Sequence, residues 1–148
     1  MGLKDDLWCQ YSDLPSVLSY DKTTHNGIKA IIAVNNLGFI GIDDKLLWHN
    51  SEDLKHFKRL TLNQRLLVGW RTAQSLPPLK NRELIIDQRD NIITDVDWCI
   101  GGKKTYEKYC HLFTELHISH IDNNEIGNVT FPDFTMLNKD CIIFNYGF

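Results

Sequence analysis

The sequence predicts an α/β fold in which a mostly parallel sheet is flanked by helices. Short apolar runs, typical of strands buried on both faces, alternate along the chain with amphipathic segments of helical periodicity. Strands connected through helices pair in parallel and place the helices on both faces of one sheet. No internal repeat or low-complexity segment is visible, so 148 residues with 43% hydrophobic content should form one domain with a real core.

The first strand is predicted at IKAIIAV (28–34), and a long loop with two glycines follows it. Further strands are predicted at 65–69, 83–87, 97–102 and 115–122, with later candidates in NVTFPDF (128–134) and CIIFNYGF (141–148). Helices are predicted at 51–62, at 71–76, where Pro77 and Pro78 stop the helix, and in KKTYEKYCHLF (103–113).

The helix predicted at 51–62 contains an acidic residue, Asp53, close to its buried side. Asn50 or Ser51 is expected to cap this helix, and its buried stripe includes Phe57. Asp53 lies four residues before Phe57, so its side chain projects near the same stripe. A carboxylate at the edge of a core is explained either by the helix dipole, worth about 0.3–1 kcal/mol, or by a ligand. These residues alone leave both explanations open.

Composition and charge exclude several classes of function. The formal net charge is -3, and Lys and Arg are scattered among acids, which argues against nucleic-acid binding. No apolar run approaches the about 20 residues of a membrane span, and the start MGLKDDLWCQ lacks a signal-peptide core. The sequence therefore predicts a cytoplasmic protein with no nucleic-acid or membrane partner. Residues 1–27 are polar and irregular and are interpreted as an N-terminal extension, which leaves 28–148 as the folded domain.

The cysteines and histidines do not form a metal-binding pattern. Cys9, Cys99, Cys110 and Cys141 include no CxxC pair, and no His lies at metal-finger spacing from them. They are interpreted as free, mostly buried thiols. In HISH, His117 and His120 should point to opposite faces of a strand, so they are not expected to share an ion. No metal site is predicted.

Two predicted strand-to-helix turns combine glycine with basic residues. LLVGWRT places Gly69, Arg71 and Thr72 after a buried strand, and CIGGKKTY places Gly101 and Gly102 before a pair of lysines. Helix N-termini expose N–H groups that favour anions, and glycine lets a ligand approach the backbone. Both turns should lie at the carboxyl edge of the sheet, where open parallel sheets bind ligands. Together they predict a diphosphate-bearing cofactor, although neither turn is a GxGxxG or GxxxxGK[ST] motif.

These segments resemble the dihydrofolate reductase family. The stretch IAVNNLGFIGIDDKLLWHNSEDLKHFKRLTLNQRLLVGWRT is similar to the family's N-terminal half. The shared features are an A-V…G-F-I-G loop, a Trp followed five residues later by a helix-borne acid, F-K-R-x-T and V-G-x-x-T. SLPPLKNRELII, CIGGKKTYEKY and ELHISHID…FPDF follow in the family's order, so the resemblance covers residues 28–134. It implies the family's sheet of mostly parallel strands with flanking helices.

The resemblance implies reduction of dihydrofolate to tetrahydrofolate by hydride transfer from NADPH, in support of one-carbon and thymidylate metabolism, and binding of antifolate-type ligands. Asp53 falls on the family's single active-site acid, where a carboxylate would pair with the pterin and bias its protonation. Trp48 would border the path of the water that carries the proton. Ser119 stands at the family's usual Thr, with a hydroxyl to bond Asp53; the alternative is a polar strand residue with a backbone partner.

The other implied roles divide between the two ligands. One group would contact the substrate by lining the pterin or packing the benzoyl ring, and its arginine would grip a glutamate carboxylate. These residues are Ile31, Ala33, Leu54, Phe57, Leu79, Arg82 and Ile100. Residues that would flank the nicotinamide or take the phosphates are Ile40, Leu46, Gly69, Arg71, Thr72, Gly101, Gly102, Lys103, Lys104 and Tyr106. The family's Gly-Gly peptide is cis, and the same is expected of Gly101–Gly102. Ile31, Ala33 and Ile100 are equally well explained as core residues.

The chain departs from the family mainly in its cofactor half. Between ELIID and DWCIGG only QRDNIITDV remains, roughly twenty residues short of the family's usual strand and helix. TMLNKDCIIFNYGF supplies one strand where the family ends in two. Trp70 replaces a basic residue near the adenosine phosphate, and Asp87 would disfavour a 2′-phosphate unless Arg89 compensates. The implied fold is therefore a truncated one, and NADH is left open as the cofactor.

Two classes of function follow from these observations. The first is an NADPH-dependent dihydrofolate reductase, favoured because Asp53, Trp48, Phe57, Arg82 and Ser119 occur together. The second is a catalytically weak or inactive scaffold that binds a protein partner through residues 1–27, favoured by the shortened cofactor half. A reductase of another pterin or heterocycle is less favoured, because the arginine matches a substrate with a glutamate tail.

Overall fold

The chain folds around one six-stranded sheet, and the computed structural model describes residues 27–43 and 46–148. The strands are β1 (Ile28–Asn35), β2 (Phe39–Gly41), β3 (Arg65–Val68), β4 (Glu83–Ile86), β5 (Trp98–Cys99), β6 (Phe113–Ile121), β7 (Val129–Thr130) and β8 (Ile142–Gly147). The helices are α1 (Ser51–Thr61), α2 (Trp70–Ser75) and α3 (Lys103–Tyr109), and a 3₁₀ turn (Cys110–Leu112) follows α3. Each predicted strand and helix is found, although several are shorter than predicted.

The strands of the large sheet lie in the order β4-β3-β5-β1-β6-β8, and every pair in it is parallel. The prediction of a mostly parallel sheet with flanking helices is thereby confirmed. β2 and β7 form a separate antiparallel pair. The strand predicted at 97–102 was too long: β5 ends at Cys99, and Gly101, with φ of 120°, leaves the extended backbone conformation soon afterwards.

Successive side chains of β1 point to opposite faces of the sheet and enter two different cores. Ala30 and Ile32 belong to a buried cluster that includes Tyr109 of α3. Ile31 belongs to a second cluster on the other face, with Leu54 of α1. The predicted placement of helices on both faces is confirmed, and α1 is held against the face to which Ile31 points.

The shortened connection between β4 and β5, residues 87–97, has no helix or strand of its own. Lys108 of α3 closes it: its Nζ lies 3.1 Å from both carboxylate oxygens of Asp87 and donates to two backbone carbonyls of the connection. The Tyr109 hydroxyl donates to Asp87 Oδ1 over 2.7 Å. Burial raises the pKa of Tyr109 to about 12, so this hydroxyl stays protonated and able to donate. The Asp87–Lys108 ion pair and the hydrogen bonds of Lys108 and Tyr109 thus hold the connection against α3.

The predicted N-terminal extension, residues 1–27, lies almost entirely outside the described part of the chain. The domain boundary at residue 28 therefore stays a prediction. Within residues 27–43 and 46–148, no helix is long and apolar enough to cross a membrane.

The cysteine and histidine predictions can be compared with the structure at most positions. Cys99 and Cys110 are buried, Cys141 is partly buried, and all three are free thiols, as predicted. Cys9 lies outside the described residues. His117 is buried and His120 is exposed, which confirms that they point to opposite faces of β6.

Candidate active site

A cleft of about 580 Å³ opens beside α1 and the two glycine turns. Its size lies within the range of small-molecule sites. Most of the residues singled out in the sequence line it: Ile31, Ala33, Ile40, Leu46, Trp48, Asp53, Leu54, Phe57, Thr72, Ile100, Gly101, Gly102, Lys103 and Tyr106. The cleft therefore brings the predicted substrate and cofactor residues to one place.

Asp53 is the buried acid of the cleft. Asn50 is the N-cap of α1, and its side chain accepts a hydrogen bond of 2.9 Å from the Asp53 backbone N–H, which fixes the start of the helix. The Asp53 side chain is only 9% exposed. Burial raises the pKa of the Asp53 carboxyl from 3.8 to about 6, and the Ser119 hydroxyl opposes this shift. Asp53 thus changes its protonation state close to neutral pH.

Ser119 lies behind Asp53 rather than on the cleft wall. It sits on β6 opposite Ala33 of β1 and is 1% exposed. Its hydroxyl lowers the pKa of Asp53, yet its Oγ completes no hydrogen bond of standard geometry with any described residue. The hydroxyl therefore interacts with the carboxyl less strongly than a full hydrogen bond would and keeps capacity for a further partner.

The raised pKa of Asp53 leads to a prediction about stability. Because the folded state holds this proton more tightly than the unfolded chain, the free energy of unfolding should fall as pH rises from about 4 to 6. The Asp53→Asn variant should not lose stability in this way, because asparagine does not ionise. At pH 7.5 we expect the free energy of unfolding of the variant to be higher by about 2 kcal/mol. The pKa difference contributes roughly 3 kcal/mol, and loss of the negative charge at the helix start removes up to about 1 kcal/mol.

The measurement is urea-induced unfolding of both proteins at pH 4 and pH 7.5. At pH 4 the difference in the free energy of unfolding should nearly vanish, because Asp53 is then protonated in the folded state. A variant that is less stable than the parent at pH 7.5 would show that burial does not disfavour the charged carboxylate.

Tyr106 fixes the floor of the cleft. Its hydroxyl donates a 2.6 Å hydrogen bond to the Ile31 backbone carbonyl, and the side chain is 5% exposed. A Cβ added at Gly101 would meet the Tyr106 ring at 3.3 Å. The ring is therefore held between β1 and the second glycine turn.

The two glycine turns are in direct contact with each other. The Gly69 N–H donates to the Gly101 carbonyl over 2.8 Å, and a Cβ at Gly102 would meet Thr72 Oγ1 at 2.8 Å. The Gly101–Gly102 peptide is cis, as expected from the resemblance. Lys103 lines the cleft and donates to Thr130 Oγ1 of β7 over 2.6 Å. Glycine is required at positions 101 and 102 because the Tyr106 ring and the Thr72 hydroxyl occupy the space of a side chain.

Some predicted site residues lie outside the cleft wall. Gly69 lies behind the joined turns, and Arg71 and Lys104 are exposed on the surface. Leu79 is 8% exposed and belongs to the core cluster of Ile31 and Leu54. Their roles toward a ligand remain predictions.

Arg82 is separated from the cleft by one aromatic ring. Its guanidinium carbon lies 6.0 Å from the centre of the Phe57 ring, and Phe57 itself lines the cleft. Its Nε donates to the Lys80 carbonyl over 3.1 Å. Burial lowers the pKa of Arg82 to about 10, so the group is still charged at neutral pH. Its Nη1 lies 3.4 Å from Oγ1 of Thr61, the last residue of α1, so Arg82 stands at the C-terminal end of this helix.

Comparisons with known proteins agree with this arrangement. The family model for dihydrofolate reductase matches residues 27–99. A dihydrofolate reductase of Buchnera aphidicola subsp. Schizaphis graminum (strain Sg) is 29% identical over 128 residues, which cover 72% of this chain and 80% of that protein. The dihydrofolate reductase type 3 of Salmonella typhimurium is 30% identical over 129 residues, which cover 73% of this chain and 78% of that protein. The chain belongs to the dihydrofolate reductase family.

A solved structure supports the same conclusion at the level of the fold. Dihydrofolate reductase from Enterococcus faecalis, complexed with NADP(H) and RAB-propyl, aligns with a TM-score of 0.63 at 25% identity. The alignment covers 75% of this chain and 80% of that one. The predicted fold and family are confirmed, and the chain is placed among enzymes of dihydrofolate reduction. It is a shortened member, because its connection between β4 and β5 carries no further strand or helix.

Several residues that line the cleft were not identified as site residues from the sequence. They are Ile32, Gly41, Leu47, His49, Asn50, Ser75, Leu76, Glu125 and Val129. His49 and Asn50 adjoin Trp48, so their closeness in sequence was a usable signal. Glu125 had no such signal: it follows β6, and the Asn35 side chain holds its carbonyl at 2.7 Å. Among the described residues, no group of His, Cys, Asp and Glu is arranged to bind a metal ion.

Proposed function

We propose that this chain reduces 7,8-dihydrofolate to tetrahydrofolate with NADPH as the hydride donor. The observation that carries the proposal is Asp53, a buried carboxyl on the wall of the cleft with a pKa of about 6. A group with a pKa near the working pH can hold a proton and also release it, which general acid catalysis requires. Family membership supplies the class of reaction.

Asp53 would orient the pterin. A carboxylate at this position pairs with the pterin's 2-amino group and ring N–H, and such a charge-assisted pair is strong where water is excluded. The reaction adds a hydride to a ring carbon and a proton to the adjacent nitrogen. Trp48 lines the cleft, and water that enters past it would carry the proton to that nitrogen. Ser119 would steady the carboxyl from behind.

The apolar walls would hold the rings of the substrate. Leu54 and Phe57 of α1 line the cleft together with Ile31 and Ile100, and all four belong to one apolar cluster. Ala33 is small at the point where nicotinamide and pterin must stack closely. These contacts would hold the two rings in position for hydride transfer, and such positioning accounts for much of the catalysis of a step of this kind.

The glycine turns fit a nicotinamide dinucleotide. Gly102, Thr72 and Lys103 line the cleft at the start of α3, where backbone N–H groups and the lysine charge would favour a diphosphate. The cofactor supplies the hydride when it is bound. The Asp87 carboxylate does not bar NADPH, because Lys108 and Tyr109 already bind it and weaken its repulsion of a 2′-phosphate.

The test is the loss of NADPH absorbance on addition of dihydrofolate. Steady turnover that depends on both compounds would support the proposal, and the same assay with NADH would measure the cofactor preference. Folded protein that is stabilised by neither NADPH nor dihydrofolate in thermal unfolding would contradict it, because a ligand that binds only the folded state raises stability.

Arg82 gives a prediction about the substrate. Arg82→Lys should raise KM for dihydrofolate about tenfold and change kcat by no more than about twofold, because a lysine cannot grip a carboxylate in a fork. The glutamate tail lies far from the reacting atoms, so its binding is lost equally from ground state and transition state. Steady-state kinetics with both proteins measure this split.

Dihydropteroate, which lacks the glutamate, is the matched control for Arg82→Lys. Its KM should be the same for both proteins. An equal rise in KM with both substrates would mean that the substitution disturbs the Phe57 wall instead of a carboxylate contact.

A second candidate function is a catalytically weak scaffold that binds a protein partner. The observation that favours it is the short connection 87–97, which leaves less protein to hold the adenosine end of a cofactor. A protein of this kind would show no thermal shift with NADPH even at millimolar concentration. Residues 1–27 were predicted as its contact segment, and that prediction stands untested.

A further inference from the structure

β8 is an edge strand with apolar side chains open to solvent. It lies at one end of the sheet, and β6 is its one neighbouring strand among the described residues. Its first three residues, Ile142, Ile143 and Phe144, are 58%, 49% and 36% exposed. Because consecutive strand residues point to opposite faces, apolar surface is open on both faces of this edge. Proteins usually cover or charge such an edge, since its outer N–H and C=O groups can pair with a further strand.

The inner side of β8 is held firmly against β6. The Tyr146 hydroxyl lies 2.8 Å from Nδ1 of His117, and the Phe144 ring stacks on the His117 ring with the two centres 4.4 Å apart. His117 itself is 5% exposed. The exposed side chains therefore belong to an ordered strand that presents a fixed edge, and not to a frayed end of the chain.

The described chain begins beside this edge. A Cβ added at Gly27 would clash with the Thr114 side chain and would approach the Leu112 carbonyl to 3.0 Å, so Gly27 packs against the start of β6. β6 is the strand between β1 and β8, and neighbouring strands lie about 4.8 Å apart, which puts β8 about 10 Å from β1. Glu115 near the start of β6 pairs with Ile142 at the start of β8. The residues before Gly27 therefore start out close to the beginning of the open edge.

The segment that precedes Gly27 contains a candidate for a further strand. LPSVLSY (14–20) is its longer apolar stretch, and the six residues 21–26 connect it to Gly27. Six extended residues span up to about 20 Å, which is more than the distance from β1 to β8. Because residue 20 must then lie near the start of β8, a strand at 14–20 would run antiparallel to β8. Pro15 is compatible with this position, since proline is tolerated in an edge strand.

We propose that residues 14–20 add a seventh, antiparallel strand to the sheet along the outer edge of β8. This strand would pair with the outer backbone groups of β8 and cover Ile142, Ile143 and Phe144. The pairing goes beyond the proposed reaction and needs no bound ligand. It makes the N-terminal segment part of the fold, so that its residues 14–20 are not available to a second protein.

Photo-crosslinking in the whole chain tests which segment covers the edge. Ile143→p-benzoylphenylalanine is irradiated in a mixture of unlabelled and isotope-labelled protein, and mass spectrometry separates links within one chain from links between chains. We expect links within one chain to residues 14–20. The matched control is Ile92→p-benzoylphenylalanine, because Ile92 is also 49% exposed but lies in the connection after β4, the other edge strand, and it should give no link to 14–20. Links between chains would show a second copy on the edge and overturn the proposal, and so would the lack of any link to 14–20.

Hydrogen exchange tests the backbone pairing itself. Leu18→Asp places a charge in the proposed strand and should speed amide exchange in residues 142–147 at least about tenfold, with no change in β1. Leu7→Asp makes the same substitution outside residues 14–20 and should leave the exchange of 142–147 as it is in the parent chain. Equal exchange rates of 142–147 in all three proteins would overturn the proposed strand.

Discussion

Asp53→Asn should lower kcat/KM for dihydrofolate by about 10²- to 10³-fold, the range expected when a general acid–base group is removed. An amide in this position still fills the space beside Leu54, so the cleft keeps its shape. It neither pairs with the pterin as an anion does nor holds a proton for transfer. The loss should therefore appear in the chemical step and not only in substrate affinity.

The pH dependence gives a sharper form of the same prediction. The pKa of Asp53 is raised to about 6, so the group holds a proton below that pH and loses it above. If protonation of the substrate draws on this group, the rate of the hydride-transfer step should be flat below pH 6 and fall about tenfold per pH unit above it. Asp53→Asn should lose this inflection.

Single-turnover kinetics from pH 5 to pH 9 measure the hydride-transfer step directly. Glu52→Gln is the matched control, because Glu52 precedes Asp53 in the first turn of α1 and is exposed to solvent. It should leave both the rate and the pH profile unchanged. An inflection near pH 6 that persists in Asp53→Asn would assign the titration to another group and remove Asp53 from the proton path.

The part of the site that local pattern determines could be predicted from the sequence. The helix start at Asn50 and the apolar stripe of α1 follow from capping and periodicity, and these place Asp53 at the edge of a core. The buried run of β1 is equally clear, because parallel strands with helices on both faces have no polar side. The assignment of Asp53 to a reductase came from resemblance and not from these patterns.

Contacts between distant parts of the chain could not be predicted in this way. Ser119 of β6 acts on Asp53 of α1, and Glu125 enters the cleft from a loop; neither has a periodic signal. Asp87 is the clearest example. The sequence suggested an acid that would disfavour a 2′-phosphate unless Arg89 compensates, and it gave no sign that Lys108 and Tyr109 bind this carboxylate. Only the three-dimensional arrangement shows how the shortened connection is fastened.

Loss of Asp87 should therefore destabilise the fold, although the residue lies in a connection and not in a helix or strand. Its side chain is 14% exposed and that of Lys108 is 26% exposed, so the ion pair is largely shielded from water. Removing Asp87 leaves a partly buried ammonium without its anion and the Tyr109 hydroxyl with only a long contact of 3.5 Å to the Asn91 carbonyl. The short connection has no other element of secondary structure to replace these contacts.

We therefore expect Asp87→Ala to lower the free energy of unfolding by about 3 kcal/mol. Urea denaturation of Asp87→Ala, Lys108→Ala and the double variant measures the coupling between the two residues, which should reach at least about 1 kcal/mol. Asp90→Ala is the control, because Asp90 lies in the same connection but is exposed, and it should cost less than about 0.5 kcal/mol. Additive effects of the two single substitutions would contradict the argument, since the connection would then depend on hydrogen bonds to its backbone and not on the Asp87–Lys108 pair.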